Sequence, residues 1–434
     1  MPPFTALRGF RDYPPPDAGA RSEILRRLRE AARRCGFQEL ESPSVESLDL
    51  YRVKSGAGIG EQVWTFRDKG DREVALAAET TPSLARVFVD RAKSEPMPVK
   101  WFTISKLWRY EEPQAGRTRE FQQFNLDILG VHGVEAEVEL LSASALLLDR
   151  VGAEGLYGFR VNDRRLAEGL GRYLRVTDND RFFRALDRSE KETADWLEGE
   201  LAACGVAPEG REQLRGWLSE CAKGLPLVDA GALLARFEAL PLPDPGPAGL
   251  AALRRLAELL PAAGIADRVR LDLVIVRGLA YYTGLVFEAF DVSGSMRALF
   301  GGGRYDQLIE LFGGPPTPAC GLAIGDQTLE ILLRSNGRWP EGEPALDTYV
   351  VAVTPAEIVP AFEMVQKLRR AGVAADCDLM ARSLSRQLKE AARRRARRAI
   401  LLGPRERARG VVVERDLATG AQRELPPEAV LPGA

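Results

Sequence analysis

Hydrophobic positions near the start of the chain recur with the spacing of one helix face. Ile24, Leu25, Leu28, Ala31 and Ala32 stand among many arginines, which predicts an amphipathic helix over 17–35. Gly36-Phe37 ends it, and 38–43 reads as an extended segment closed by Pro43. Short apolar or alternating runs at 62–66 and 73–76, joined by the turn-like Asp68-Lys69-Gly70-Asp71, predict two strands. A helix starts near Thr81-Pro82 and carries Leu84, Ala85, Val87 and Phe88. Runs at 99–108, 121–130 and 283–290 predict further strands. Strands that cluster, rather than alternate with helices, point to an α+β domain around a mixed antiparallel sheet.

From about 165 to 269 the pattern turns helical and charged, with prolines and glycines gathered at 240–249. This stretch is expected to be a helical insertion inside the first domain, carrying no chemistry of its own. After a connector at 337–344, strands at 348–353, 373–379, 399–402 and 411–414 alternate with helices at 355–371 and 383–396. Such alternation predicts a small α/β domain with a parallel sheet. The expected division is therefore 1–335 and 345–434.

Composition narrows the class. A chain of 434 residues, 45% hydrophobic and 28% charged, has the material for two or three domains with real cores. Cys35, Cys204, Cys221, Cys320 and Cys377 are scattered without paired spacing, so neither a disulfide framework nor a metal site is expected. The start has no apolar signal core and no apolar run is long enough to span a membrane, so the expected home is cytoplasmic. His132 is the one histidine, which removes Ser-His-Asp triads and histidine metal sites from consideration. Net charge is only −2, but from Asp347 onward 16 Lys+Arg face 11 Asp+Glu. Arg382, Arg386, Lys389 and Arg393, with Arg394, Arg395, Arg397 and Arg398 close by, make that tail a candidate for RNA phosphate.

The densest candidate chemistry lies in 108–127. Arg109 closes the 99–108 segment, a loop follows with Pro113, Gly116, Arg117 and Arg119, and the next segment carries Gln123 and Asp127. Arg109 and Glu111 are two apart, and Gln123 and Asp127 four apart, so on strands each pair faces one way. Fixed cations beside polar acceptors suit an anionic nucleotide next to a small zwitterionic substrate. A second anchor is Arg277-Gly278-Leu279-Ala280-Tyr281-Tyr282, and a third is Gly301-Gly302-Gly303-Arg304-Tyr305-Asp306 ahead of Gly325-Asp326-Gln327-Thr328. Read alone, the glycine run is a bulge, a turn or a binding loop.

These segments resemble class II aminoacyl-tRNA synthetases of the histidyl kind. The 108–127 stretch resembles motif 2, the 17–43 helix and strand resemble motif 1, and the Arg-Gly-Leu-Ala-Tyr-Tyr stretch resembles the histidine-type motif. In context the glycine run resembles the family's Gly-Gly-Arg-Tyr-Asp strand and turn. The resemblance implies a class II synthetase-type antiparallel sheet and a C-terminal α/β anticodon-binding domain. It also implies histidine, ATP with Mg²⁺ and tRNA(His) as partners, and a homodimer. Arg109 and Arg277 are implied as catalytic. Glu79, Thr81, Gln123, Asp127, Tyr281 and Tyr282 are implied for histidine, and Arg109, Glu111, Arg117 and Arg119 for ATP, with Arg119 favoured in the loop. Arg382, Arg386, Lys389 and Arg393 are implied for tRNA. The sequence departs from the pattern at Ala77-Ala78, where Arg-Pro is usual, and at Thr328, where motif 3 ends in arginine. Ala280 and Asp127 replace a common aspartate and glutamate. Two other readings stay open: a regulatory subunit of ATP phosphoribosyltransferase, and a synthetase paralogue charging another carrier.

Overall fold

The computed structural model describes residues 4–55, 62–114, 116–222, 224–276, 281–296, 298–341 and 346–432. Two compact units divide the chain: Met1–Pro14 with Ile24–Trp339, and Pro15–Glu23 with Pro340–Ala434.

The first unit holds strands β1 (Gln38–Glu39), β2 (Val45–Ser47), β3 (Thr65–Arg67), β4 (Glu73–Leu76), β5 (Val99–Trp108) and β6 (Glu120–Leu129). It continues with β7 (Tyr157–Asp163), β8 (Leu225–Pro226), β9 (Val269–Leu271), β10 (Leu285–Asp291), β11 (Phe300–Arg304) and β12 (Ala319–Gly325). Nine of them form one sheet in the order β1-β5-β6-β12-β11-β10-β7-β9-β8, and β2-β4-β3 form a small second one. From β5 across to β7 each pairing is antiparallel, while β1 joins β5 and β9 joins β7 in parallel.

Residue alternation sorts the two faces of the large sheet. Phe102, Phe124, Leu126, Phe159, Phe287 and Leu322 enter the larger core, which also takes Ile24 and Leu28 of helix Asp17–Arg34 and much of helix Glu135–Arg150. Burying one such side chain contributes about 1.5–3 kcal/mol. On the other face Trp101, Leu129, Val286 and Tyr305 build a smaller core with Leu84 and Phe88 of helix Thr81–Arg91. Gln123, Asp127, Glu288 and Arg160 share that second face by strand parity. Polar side chains therefore cluster where the smaller core stops.

The glycine run forms the buried central strand β11, as the resemblance implies, and not the turn or loop that it suggests when read alone. A Cβ on Gly302 would stand 2.6 Å from the Phe287 ring, and one on Gly303 2.8 Å from the Leu285 carbonyl oxygen. Close packing against those neighbours outweighs the weak strand propensity of glycine. The insertion is mostly helical, with helices Arg164–Tyr173, Asn179–Arg188, Ala194–Ala203, Pro208–Glu220, Gly231–Glu238 and Gly246–Leu259. It also supplies β8, which pairs with β9 at the end of the large sheet.

In the second unit, β13 (Thr348–Ala352), β14 (Ala375–Cys377), β15 (Arg398–Leu402), β16 (Val412–Asp416) and β17 (Gln422–Leu425) are ordered β14-β13-β15-β16-β17. The expected parallel sheet is only partly parallel: β14, β13 and β15 are, but β15, β16 and β17 run antiparallel. The reason is connection length. Helices Ile358–Arg370 and Leu384–Arg393 bridge the parallel strands, whereas a tight turn after Asp416, whose carboxylate accepts from the Ala418 and Thr419 amides, returns the chain as a hairpin. Among the described residues no helix is long and apolar enough to cross a membrane.

Candidate active site

β5 hands its last residue to the site through backbone bonds. The Trp108 amide donates to the Ala77 carbonyl at 2.8 Å, and the Arg109 amide to the Arg119 carbonyl at 3.0 Å. Arg109 Nε then donates to the Ala78 carbonyl at 2.9 Å, and its guanidinium lies 5.2 Å from the Phe121 ring centre. Glu111 stands between two cations: its carboxylate is 4.0 Å from Arg109 Nη1 and 3.6 Å from Arg117 Nη1. Arg109, Glu111, Arg117 and Gln123 all line one cavity of about 640 Å³.

The two loop arginines part ways. Arg117 faces the cavity. Arg119 packs instead over the Tyr110 ring at 4.4 Å, donates through Nε to the Glu111 carbonyl at 3.1 Å, and is held by its amide to the Gly9 carbonyl at 2.8 Å. Gly9 has φ +86, and a Cβ there would meet Arg119 Cγ at 2.8 Å. The structure thus gives Arg119 a backbone-fastening place and puts Arg117 on the cavity wall.

Gln123 and Asp127 occupy the same face of β6, as their spacing predicts. Asp127 is only 2% exposed and accepts a hydrogen bond on Oδ1 from the Tyr305 hydroxyl. The bond passes over β12 at Gly321, the register partner of Asp127. A Cβ on Gly321 would collide with Asp127 Oδ1 and stand 2.6 Å from the Tyr305 hydroxyl. Burial, then the neighbouring Asp127 carboxylate, push the Tyr305 phenol well above its usual range, so it remains a donor. The Tyr281 ring lies 6.1 Å from that of Tyr305 and 4.6 Å from that of Tyr282, which is buried in the smaller core. Arg277 and Ala280 lie outside the described residues.

Glu79 and Thr81 flank the start of helix Thr81–Arg91, both half-buried. Glu79 sits near Tyr51, whose phenol is raised by burial first and then by the Glu46 and Glu79 carboxylates. Ala77 and Ala78 are buried and act through their carbonyls. Thr328 lines the cavity from the first turn of helix Asp326–Ser335, its hydroxyl 2.8 Å from the Leu299 carbonyl and 3.2 Å from that of Gly325.

Sequence reasoning missed Tyr305, Arg160 and the contribution of the insertion. The room for the Tyr305 bond comes from Gly321 of β12 opposite Asp127, a pairing that the sequence does not show. Nothing in the sequence marks Arg160, which lines the cavity together with Asp187, Glu190 and Lys191 of the insertion. The insertion therefore does bring charged groups to the site.

In the second unit the basic helix is partly neutralised. Glu390 accepts from Arg382 at 3.0 Å, from Arg393 at 2.6 Å and from Arg394 at 3.1 Å, and Asp378 holds Arg382 at 2.9 Å. Those arginines, Arg393 first, hold the Glu390 carboxyl down at about 2. Arg386 and Lys389 remain exposed on the helix surface.

Comparison with known proteins places these observations. A family model described as histidyl-tRNA synthetase matches residues 9–329, and one described as anticodon binding domain matches 347–432. The histidine–tRNA ligase of Thermoplasma volcanium is 37% identical over 96% of this chain and 95% of its own length. Those of Halobacterium salinarum and Opitutus terrae are 38% and 39% identical, each over 99% of this chain and 98% of the relative. A crystal structure of histidyl-tRNA synthetase from a Nostoc species superposes with TM-score 0.86 at 23% identity, covering 98% of this chain and 97% of that one, a likeness of fold. An ATP phosphoribosyltransferase regulatory subunit/histidyl-tRNA synthetase from Bacillus halodurans superposes at 0.72 with 21% identity, covering 87% of this chain and 93% of that one.

Proposed function

The chain belongs to the histidyl-tRNA synthetase family, and from that premise we propose that it is a histidine–tRNA ligase acting on histidine, ATP and tRNA(His) in the cytoplasm as a homodimer. A histidine carboxylate oxygen attacks the α-phosphorus of ATP. The bond to the bridging oxygen breaks, and pyrophosphate leaves. The terminal ribose hydroxyl of the tRNA then attacks the histidyl carbonyl, AMP departs, and a phosphate oxygen of the adenylate takes the hydroxyl proton.

Charge and position supply the catalysis. Arg109, fastened by the Ala78 carbonyl, offers a preorganised guanidinium to the α-phosphate as charge builds there. Arg277 is proposed as the second cation of that clamp. Arg117 and Glu111, on the cavity wall, serve the nucleotide side where Thr328 brings no charge. Gln123, Glu79 and Thr81 grip the amino group. Asp127, with Tyr305 and the Tyr281-Tyr282 pair, reads the imidazole. Mg²⁺, bound together with ATP, would supply charge neutralisation on the triphosphate. Arg386 and Lys389, with Arg382 and Arg393 behind them, are proposed to meet the tRNA from the 345–434 domain, leaving 1–335 as the catalytic part.

The observation that carries this reading is the buried Asp127–Tyr305 pair, with Asp127 four residues along β6 from Gln123, which lines the cavity with Arg109. A buried carboxylate fixed by a tyrosine is an acceptor for an imidazole N–H. The regulatory-subunit reading is not favoured, since the full-length relatives at 37–39% identity are histidine–tRNA ligases. Charging a tRNA(His) transcript with labelled histidine tests the proposal: histidyl-tRNA should form only with ATP, and no product with a folded enzyme would overturn it.

A further inference from the structure

Arg160 projects from β7 onto the cavity face of the sheet, where its register partner on β10 is Glu288. Its guanidinium lies 4.2 Å from the Phe290 ring centre. Nη1 donates to both carboxylate oxygens of Glu190, at 2.8 and 3.0 Å, and to Asp272 Oδ2 at 3.2 Å. Asp272 is 2% exposed and anchors a turn. Its amide donates to the Val161 carbonyl at 2.9 Å, its other carboxylate oxygen accepts from the Val274 amide at 3.2 Å, and its carbonyl accepts from the Ile275 amide at 3.1 Å. Along the chain, this turn leads directly into Arg277. Glu190 belongs to the insertion, between helices Asn179–Arg188 and Ala194–Ala203. One guanidinium thus joins three parts: the sheet, the turn before the Arg277–Tyr282 stretch, and the insertion.

An ion pair of this kind is a poor way to gain stability. Desolvating the guanidinium and the buried carboxylate costs about as much as their attraction returns, and packed apolar side chains would do as well. What it does supply is orientation, because a planar guanidinium whose Nη1 is shared between two carboxylates and which lies over a ring has little freedom.

We propose that Arg160 is a positioning residue of histidine activation: it seats the Asp272 turn, whose Val274 and Ile275 line the cavity beside Arg109, and Glu190 of the insertion sets the orientation of Arg160. The insertion is on this account an active partner in the first half-reaction. The inference rests on the histidine–tRNA ligase reading. It predicts that the rate of adenylate formation falls when either link is cut, and that the two links act as one path.

The test is histidine-dependent ATP–pyrophosphate exchange in full-length wild type, Arg160→Lys, Arg160→Met, Glu190→Gln and the Arg160→Met/Glu190→Gln double variant, with kcat and KM measured separately. Misplacement of reacting groups by about an ångström costs on the order of 100-fold. Arg160→Met should lower kcat by about 10- to 100-fold with the KM for ATP within about 2-fold, and Glu190→Gln should lower it by about 3- to 10-fold. The double variant should match Arg160→Met within about 2-fold, the non-additivity of one path. Lysine, which keeps the charge but not the fork, should restore only part of the loss. If wild type exchanges and Arg160→Met and Glu190→Gln match its kcat while melting at lower temperature, Arg160 is merely structural and the proposal falls. Strictly multiplicative losses would remove the insertion from the path and overturn it equally. A folded wild type that exchanges nothing with histidine would instead bring down the functional reading beneath.

Discussion

Arg109 Nε donates a 2.9 Å hydrogen bond to the carbonyl oxygen of Ala78. A backbone carbonyl is available from any residue, so the Ala77-Ala78 departure leaves the seat of this arginine intact. Replacing Arg109 by alanine should lower the exchange rate by about 100- to 1,000-fold, the scale of losing one preorganised donor to a developing anion. Circular dichroism and melting temperature should be nearly unchanged, since the side chain is 37% exposed. Exchange kinetics at saturating ATP measure the effect, and undiminished turnover would remove Arg109 from the reaction.

Tyr305 and Asp127 meet over Gly321, and each partner can be tested. Tyr305→Phe leaves Asp127 without that donor, a deficit of about 1–3 kcal/mol. The KM for histidine should rise by about 5- to 100-fold while the KM for ATP holds. Gly321→Ala places a methyl group against both side chains. It should cost about 1–3 kcal/mol of stability by overpacking and weaken histidine binding as well. Binding calorimetry with histidine reads the affinity change in both variants, and chemical denaturation reads the stability loss.

Much of the fold was legible because period and length agree on strongly patterned segments. β5 at Val99–Trp108 and β4 at Glu73–Leu76 match their predicted spans residue for residue, and β6 differs by one. β11 is legible as a strand only through the resemblance, since three glycines carry no hydrophobic pattern and their role depends on partners elsewhere in the chain. β7 and β12 were not anticipated, and β14 is shorter than its apolar run. The site was legible where chemistry is local in sequence, as with Arg109, Glu111, Gln123 and Asp127. It was opaque where contacts are long-range. Tyr305 reaches Asp127 across 178 positions, and Arg160 reaches Asp272 across 112.

Asp272 gives a pH signature. Burial raises its carboxyl from 3.8 to about 6. The folded protein therefore keeps a proton that the unfolded chain releases. This contribution is complete below pH 3.8 and is lost as pH rises through 6, amounting to about 3 kcal/mol over the window. Asp272→Asn should flatten the fall in stability between pH 4 and 6 and gain relative to wild type above it. Chemical denaturation at pH 4.5, 5.5 and 7 checks the sign. A difference that does not change with pH would contradict it.

Arg386 and Lys389 offer exposed charge while Arg382 and Arg393 are engaged by Glu390. Reversing both, Arg386→Glu with Lys389→Glu, should raise the KM for tRNA by about 10-fold or more and reduce its salt dependence. Amino acid activation should not change. Charging and exchange assays on the same preparation separate the two. Equal losses in both would place these residues outside tRNA recognition.

The most direct test of the central claim is ATP–pyrophosphate exchange with each of the twenty amino acids in turn. Exchange driven by histidine alone is the predicted result, and it would also show that Thr328 suffices where a cation is usual. Exchange driven by a different amino acid, or none from a folded protein, would contradict it.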